Sequence, residues 1–513
     1  MARLQNLAHL LNTNAVPNKL EAASVQQEID GLASKIAKAK SQHDRDVLEK
    51  QRKCYRAVLS PVRRMPCELL GEIFLLAVPL ILHEDNRCAV LNLGRVCKMW
   101  REATLYARRL WSGLALEPYG QMSYEEVVSW LNRAGNLPKS LEFDPNCDYC
   151  DCYKGAYCNS TSPLLAELLI KGPKIDHLSV SVLNTGCFKG WLESFKPAGK
   201  KSTSRPWDTL RSLSLTVHQM VNSEWEDGPV APSRSIFKSL PPVTCLHLYL
   251  PEVEPYYGET PGISIPKVFL KRLTEFTIEC TWPGNHLIEL LKGCVNVETL
   301  TIVFDGTTPF EDGDAELAAL LKNPIRLPKV HTLRIQSVGP GAKILRYLKT
   351  PSLTTLELGF AGWKKVDDNN FPKVLSTFLQ TSGVAKKLVK LRFYNLCVSG
   401  TRLRTSLSGL TSLEQLTLDK VTLSDNLFVA GTPVQKIPVQ PHLPSIEHLG
   451  LLELPADGAK TVGFSVLKDR TGCVPCMVTL SCQRGFTYKE AEFGVYELKK
   501  SGMSLRIIPP FEH

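Results

Sequence analysis

The sequence predicts an α/β solenoid set behind a helical N-terminal region, and three observations carry that expectation. The pattern apolar-x-x-apolar-x-apolar occurs ten times between Ile175 and Ile446, each time followed by turn or loop residues. Stretches of helical character separate the matches. A segment with no proline and a single glycine, Leu20–Leu59, precedes them all. One strand–loop–helix unit cannot bury its own apolar row, whereas stacked units form a continuous core.

Composition narrows the function classes. A chain of 513 residues with 43% hydrophobic content holds two or three domains and a sizeable core. No run approaches eighteen apolar residues, so no membrane partner is expected. Gln5, Asn6 and His9 interrupt the opening residues, which argues against a secretory signal. The 16 cysteines are scattered rather than framed, which fits a reducing compartment, cytoplasmic and/or nuclear. Sixty-one basic against 51 acidic residues leave a net charge of +10, a mild excess at this length, and nucleic acid is not the expected partner.

Residues 1–19 read as a weakly ordered lead. From 20 to 59 good helix formers dominate and predict one long helix. Within it Val25, Ile29, Leu32, Ile36 and Ala39 follow coiled-coil spacing, but His43, Asp46 and Lys50 fall where apolar residues are due. That is a short coiled-coil pattern, too short for a stable independent one. The helix is expected to pack on the segment after it or on the first repeats.

The segment 60–114 carries two further helices. After Pro66, whose fixed φ suits a helix start, Leu69, Leu70, Ile73, Phe74 and Ala77 recur at helical spacing until Pro79. Beyond a polar connection, Leu93, Val96, Cys97, Trp100 and Ala103 line one side of a second helix, and Leu110-Trp111 closes the segment. Two short helices cannot bury this much apolar surface against each other.

The residue order in this segment is more specific than its periodicity. Met65-Pro66-Cys67-Glu68-Leu69-Leu70-Gly71-Glu72-Ile73-Phe74, then Val96-Cys97-Lys98-Met99-Trp100-Arg101, then Leu110-Trp111, resembles the F-box. Met65 stands where the family has Leu, a volume-conserving change. With the downstream leucine pattern, the chain looks like the F-box proteins abundant in fungi. The resemblance implies docking onto a Skp-type adaptor and, through it, a cullin–RING ubiquitin ligase. By analogy, Pro66, Leu69, Leu70, Ile73, Phe74, Val96, Cys97, Trp100, Leu110 and Trp111 would supply the adaptor-docking surface.

Residues 115–513 hold the repeat. Matches start at Ile175, Leu210, Val243, Leu273, Val297, Val330, Leu353, Leu388, Leu413 and Ile446, 23 to 35 residues apart. Helical pieces are expected at Leu164–Lys171, Asn285–Lys292, Ala315–Lys322, Ala342–Leu348 and Phe371–Gln380. A degenerate strand at Leu137–Phe143, after a helix at Tyr124–Ala134, opens the array. Strands at Met477–Leu480 and Ser504–Ile508 close it, flanking a helix-like piece near Tyr488–Phe493. This resembles a leucine-rich-repeat horseshoe of irregular period, without the regular Asn or Cys that the family places after the strand. Residues between the core positions point to the other side of each strand. His247, Tyr249, Glu279, Arg334, Glu357, Arg392, Tyr394 and Asp419 are therefore the candidate target-binding residues, aromatic and arginine side chains being typical interface anchors.

Chemistry is sparse. Cys147, Cys150, Cys152 and Cys158 form a dense cluster, but one residue between Cys150 and Cys152 is cramped for a common zinc module, and an inserted loop with free thiols is expected. Cys473 and Cys476, with Cys482, make a weaker pair. No Gly-x-Ser-x-Gly, His-Glu-x-x-His or complete phosphate loop is present. The acidic runs Glu311–Asp314 and Asp367–Asn370 read as solvated or helix-capping loops. The expectation is a non-catalytic receptor subunit of a ubiquitin ligase, without cofactor or metal, holding an unknown target protein through the repeats. A protein-binding scaffold with no ligase role is the alternative.

Overall fold

The computed structural model describes residues 2–117, 120, 122–145, 162–193, 205–218, 236–250, 265–280, 284–304, 315–361, 370–424, 427, 443–454, 476–482 and 504–508. The chain is mixed α/β with a large parallel sheet. It divides into two compact units, one of residues 1–144 and 163–178, the other of 145–162 and 179–513.

The first unit opens with three helices. The lead expected to be weakly ordered carries a helix, α1 (Ala2–Asn12), and the expected long helix is two, α2 (Lys19–Lys38) and α3 (Gln42–Val58). Asn18 starts α2 with a reciprocal capping box: its side chain accepts from the Glu21 amide while Glu21 accepts from the Asn18 amide. The break at Ala39–Ser41 explains why the heptad pattern stops there. The chain folds back as a helical hairpin, and Val25 and Leu32 of α2 bury against Tyr55 and Val58 of α3 and Leu7 and Leu10 of α1. The apolar stripe of α2 is thus covered from within the chain.

The next stretch has three helices rather than two: α4 (Cys67–Ala77), α5 (Glu84–Val96) and α6 (Lys98–Tyr106). The second expected helix is interrupted at Cys97, which is extended at φ −163° and ψ 173°. Beyond the 3₁₀ turn Arg108–Trp111 an unexpected strand, Gly113–Leu116, lies parallel to Ser140–Phe143. The sheet therefore begins one strand earlier than the sequence suggests, within the 60–114 segment. Between these two strands runs α7 (Tyr124–Arg133), started by a second capping box, Ser123 with Glu126.

The second unit is built on the repeat. The strands Ser212–Val217, Cys245–Tyr249, Glu275–Cys280, Thr299–Phe304, Thr332–Val338, Thr355–Phe360, Lys390–Tyr394, Gln415–Asp419, His448–Leu454, Met477–Cys482 and Ser504–Ile507 pair in chain order, all parallel. Parallel neighbours need a crossover between them, which the 23- to 35-residue spacing supplies. Register aligns the motif's last two apolar positions across the sheet. Leu213, Leu246, Phe276, Leu300, Leu333, Leu356, Leu391 and Leu416 form one buried row, and Leu215, Leu248, Ile278, Ile302, Ile335, Leu358, Phe393 and Leu418 the next. Burying each such side chain is worth about 1.5–3 kcal/mol before chain entropy is counted.

Helices Gly284–Leu291, Ala315–Lys322 and Phe371–Ser382 fall where helical pieces were expected, as does Pro163–Lys171 in the first unit. The stretch expected at Ala342–Leu348 is a 3₁₀ helix, Pro340–Tyr347. Helices Thr185–Glu193 and Gly400–Leu407 add to the expected set. Phe371 packs edge-on to Phe360 at 4.9 Å and to Phe393 at 5.6 Å, joining its helix to two strands. Gly383 ends that helix at φ 69°, the left-handed conformation glycine adopts without strain.

Candidate functional site

Helix α4 is apolar on two opposite sides, and only one is covered. Leu70, Gly71 and Phe74 face inward. Gly71 lets the helices approach closely, since a Cβ there would stand 3.1 Å from the Ala107 Cβ. Phe74 lies 5.0 Å from the Trp100 ring. On the other side Leu69, Ile73 and Leu76 are 56%, 46% and 88% exposed, following Pro66, which is exposed as well. A helix that is apolar on two sides normally has both of them covered. Val96, 60% exposed, ends α5 beside the Cys97 joint, and Trp100 and Cys97 are half-buried.

The ten residues assigned to adaptor docking therefore separate into two groups. Leu70, Phe74, Leu110 and Trp111 are core residues and cannot be contact surface, because the amphipathic turn that presents Leu69 outward necessarily sends Leu70 inward. Trp111 donates its indole N–H to the Thr104 carbonyl at 2.8 Å, packs at a tilt against Trp130 with ring centroids 4.6 Å apart and lies under the Arg133 guanidinium at 4.5 Å. It fastens α6 to α7. Pro66, Leu69, Ile73, Val96 and, in part, Cys97 and Trp100 remain available. Leu76 was missed, although it lies seven residues after Leu69 on the same stripe; Leu80, Leu91, Leu105 and Tyr106 are further exposed apolar side chains of this unit.

The Ser60–Arg64 lead-in is anchored from behind. Arg63 Nη1 donates to the Leu10 carbonyl at 2.8 Å and to that of Ala15 at 3.3 Å, so the α1–α3 bundle and the start of α4 are tied by one side chain. Burial lowers the Arg63 pKa from its ordinary value.

On the sheet of the second unit, the residues expected on the outward row alternate with the buried rows as predicted, with one exception. Asp419 is only 5% exposed and accepts from Arg392 Nη2 at 2.6 Å. It therefore orients an arginine instead of contacting a partner. Arg334 and Glu357, directly opposite in register, are 3.4 Å apart. Tyr394 accepts from Lys420 Nζ at 3.2 Å, and Lys420 also reaches Glu453 at 3.1 Å. Burial opposes the charge on Lys420, but the hydrogen bonds to Tyr394 and Glu453 outweigh it and hold the pKa above the ordinary lysine value. Asn395, Lys420 and Glu453 occupy equivalent positions just past or near the ends of three neighbouring strands, and all have positive φ (55°, 53° and 44°). Glu279 lies two strands and His247 three strands from Arg334, and partial burial lowers the His247 pKa, an effect that nearby Glu279 opposes.

The cysteine cluster Cys147–Cys158, Cys473, the acidic run Glu311–Asp314 and the segment Tyr488–Phe493 lie outside the described residues. Among the described residues no group of His, Cys, Asp and Glu side chains is arranged to hold a metal, and no helix is long and apolar enough to cross a membrane. No family model matches the chain, and no curated protein matches it.

Proposed function

We propose that the chain is the substrate-recognition subunit of a Skp–cullin–F-box ubiquitin ligase, acting in the cytoplasm or nucleus. In this reading residues 60–114 form the F-box, and the repeats behind it form an irregular leucine-rich solenoid that holds a target protein. The observation that carries it is the stripe Leu69–Ile73–Leu76, exposed on a helix whose opposite side is core, within a segment that has three F-box-like blocks in order. An exposed apolar stripe of that kind marks a protein-interaction site, and its length suits the helix-in-groove mode of recognition. The uniformly parallel, chain-ordered strands support the solenoid part of the reading.

The mechanism is proximity. Adaptor docking through α4–α6 and target docking through the sheet face hold target lysines near a ubiquitin-charged enzyme, which replaces a bimolecular encounter by a high local concentration. Bond making and breaking belong to the other subunits. Reconstituted ubiquitin transfer tests this, with proteins captured on the full chain as substrates. Ubiquitination that depends on the chain supports the ligase reading; capture of a target that is never modified would leave a scaffold.

A further inference from the structure

The outward face of the second unit's sheet is electrostatically two-sided. On the strands Cys245–Tyr249, Glu275–Cys280 and Thr299–Phe304 its outward residues include Glu275 and Glu279 but no lysine or arginine. His247, with its pKa lowered, does not cancel them at neutral pH. On the strands Thr332–Val338 to Gln415–Asp419 the balance reverses. Arg334, Lys390 and Arg392 reach solvent, with the arginine side chains 38% and 47% exposed, whereas Asp419 is buried beneath Arg392 at 7% side-chain exposure. Within these strands Glu357, half-buried, is the one carboxylate that a partner would meet, and exposed Glu414 stands just before the last of them. A partner approaching the sheet would thus find carboxylates at one end and guanidinium and ammonium groups at the other.

We infer that this face takes an extended segment of a target protein that crosses the strands and carries a basic cluster at one end and an acidic cluster at the other. The inference rests on the target-receptor reading above and specifies the chemistry of the segment. Charge complementarity selects the partner: like charges set opposite would be repelled, and a neutral segment would leave both ends unmatched. The geometry also sets a length. The strand Glu275–Cys280 and the strand Lys390–Tyr394 are separated by the strands starting at Thr299, Thr332 and Thr355. At about 4.8 Å per step, the two ends of the face lie about 19 Å apart. An extended chain advancing about 3.3 Å per residue covers that in about six residues. Arg392 is the expected anchor, because its ion pair with buried Asp419 fixes one edge of the guanidinium and leaves less freedom to lose on binding.

The test is selection of peptides from a random twelve-residue display library on the full-length chain, repeated with Lys390→Glu and with Glu275→Lys. Both positions are exposed, so the variants should keep the fold. The expected result is enrichment of peptides with Lys/Arg and Asp/Glu clusters about six residues apart. Binding of the selected peptides should weaken about tenfold in each variant and fall with added salt. Selected peptides without that pattern, or carrying acidic residues alone, or indifferent to both charge reversals, would overturn the inference while leaving a target receptor in place. Enrichment of no peptide at all would contradict the receptor reading itself.

Discussion

At the scale of single residues, neighbours in sequence have opposite duties. Leu69 and Leu70 are adjacent, yet one is 56% exposed and the other 3%. Leu70→Ala is expected to cost about 2–5 kcal/mol of stability, read as a lowered thermal midpoint. Leu69→Asp with Ile73→Asp should change stability by less than about 1 kcal/mol and abolish adaptor binding. The sequence cannot tell the two apart, since α4 is apolar on both sides and periodicity does not say which side the rest of the chain covers. Cys294 is a second residue-scale case: full burial pushes its thiol pKa up to about 12. In the native protein it should resist maleimide at pH 8 while exposed Cys54 and Cys88 are labelled, as mass spectrometry of the modified chain would show. His247 carries a pH consequence. Its folded pKa is below the ordinary value, so the unfolded chain takes up the proton first as pH falls. The corresponding stability is complete above about pH 6.5 and is lost below it. Denaturant titrations should therefore show a shallower acid decline for His247→Gln.

Among elements, the short joints decide more than the helices and strands they connect. Gly113 follows the Leu110-Trp111 block, and a Cβ there would meet the Leu80 carbonyl oxygen at 2.1 Å. Backbone cannot move aside cheaply, and Gly113→Ala should destabilise the chain by more than about 2 kcal/mol, measurable by denaturant unfolding. The strand that begins at Gly113 escaped the sequence reading because all four of its residues, Gly113 to Leu116, are buried and show no alternation. The break at Cys97 escaped it for the opposite reason: Leu93, Val96 and Trp100 keep helical spacing across a residue that is itself extended. Helix Thr185–Glu193 contains Gly186 and Gly190, poor helix formers that tertiary packing overrides. The α1–α3 bundle corrects the lead in the same way, because Leu7 and Leu10 complete the core of a hairpin whose own sequence suggested a continuous helix. Removing residues 1–17 should speed amide hydrogen exchange in α2 and α3 by about tenfold or more; unchanged exchange would show that α1 contributes no cover.

For the whole molecule, the parallel sheet was the most legible feature. Leu213 and Leu215, or Leu416 and Leu418, alternate strictly with polar neighbours, and the same phase returns after every crossover, so strand positions and common register follow from the residues alone. What the residues could not show is which outward side chains pair with each other. Arg392 with Asp419 and Arg334 with Glu357 meet across neighbouring strands, and that pairing orients the two guanidinium groups on the face. The ligase reading joins this face to the stripe on α4 in a single chain, and it stands or falls on the stripe. The most direct test is co-purification of the full-length chain with a Skp-type adaptor, followed by size-exclusion chromatography, for the native sequence and for Leu69→Asp with Ile73→Asp. The account predicts a one-to-one complex with the native chain and none with the folded double variant. A folded native chain that ignores the adaptor, or a double variant that binds it equally well, would contradict it.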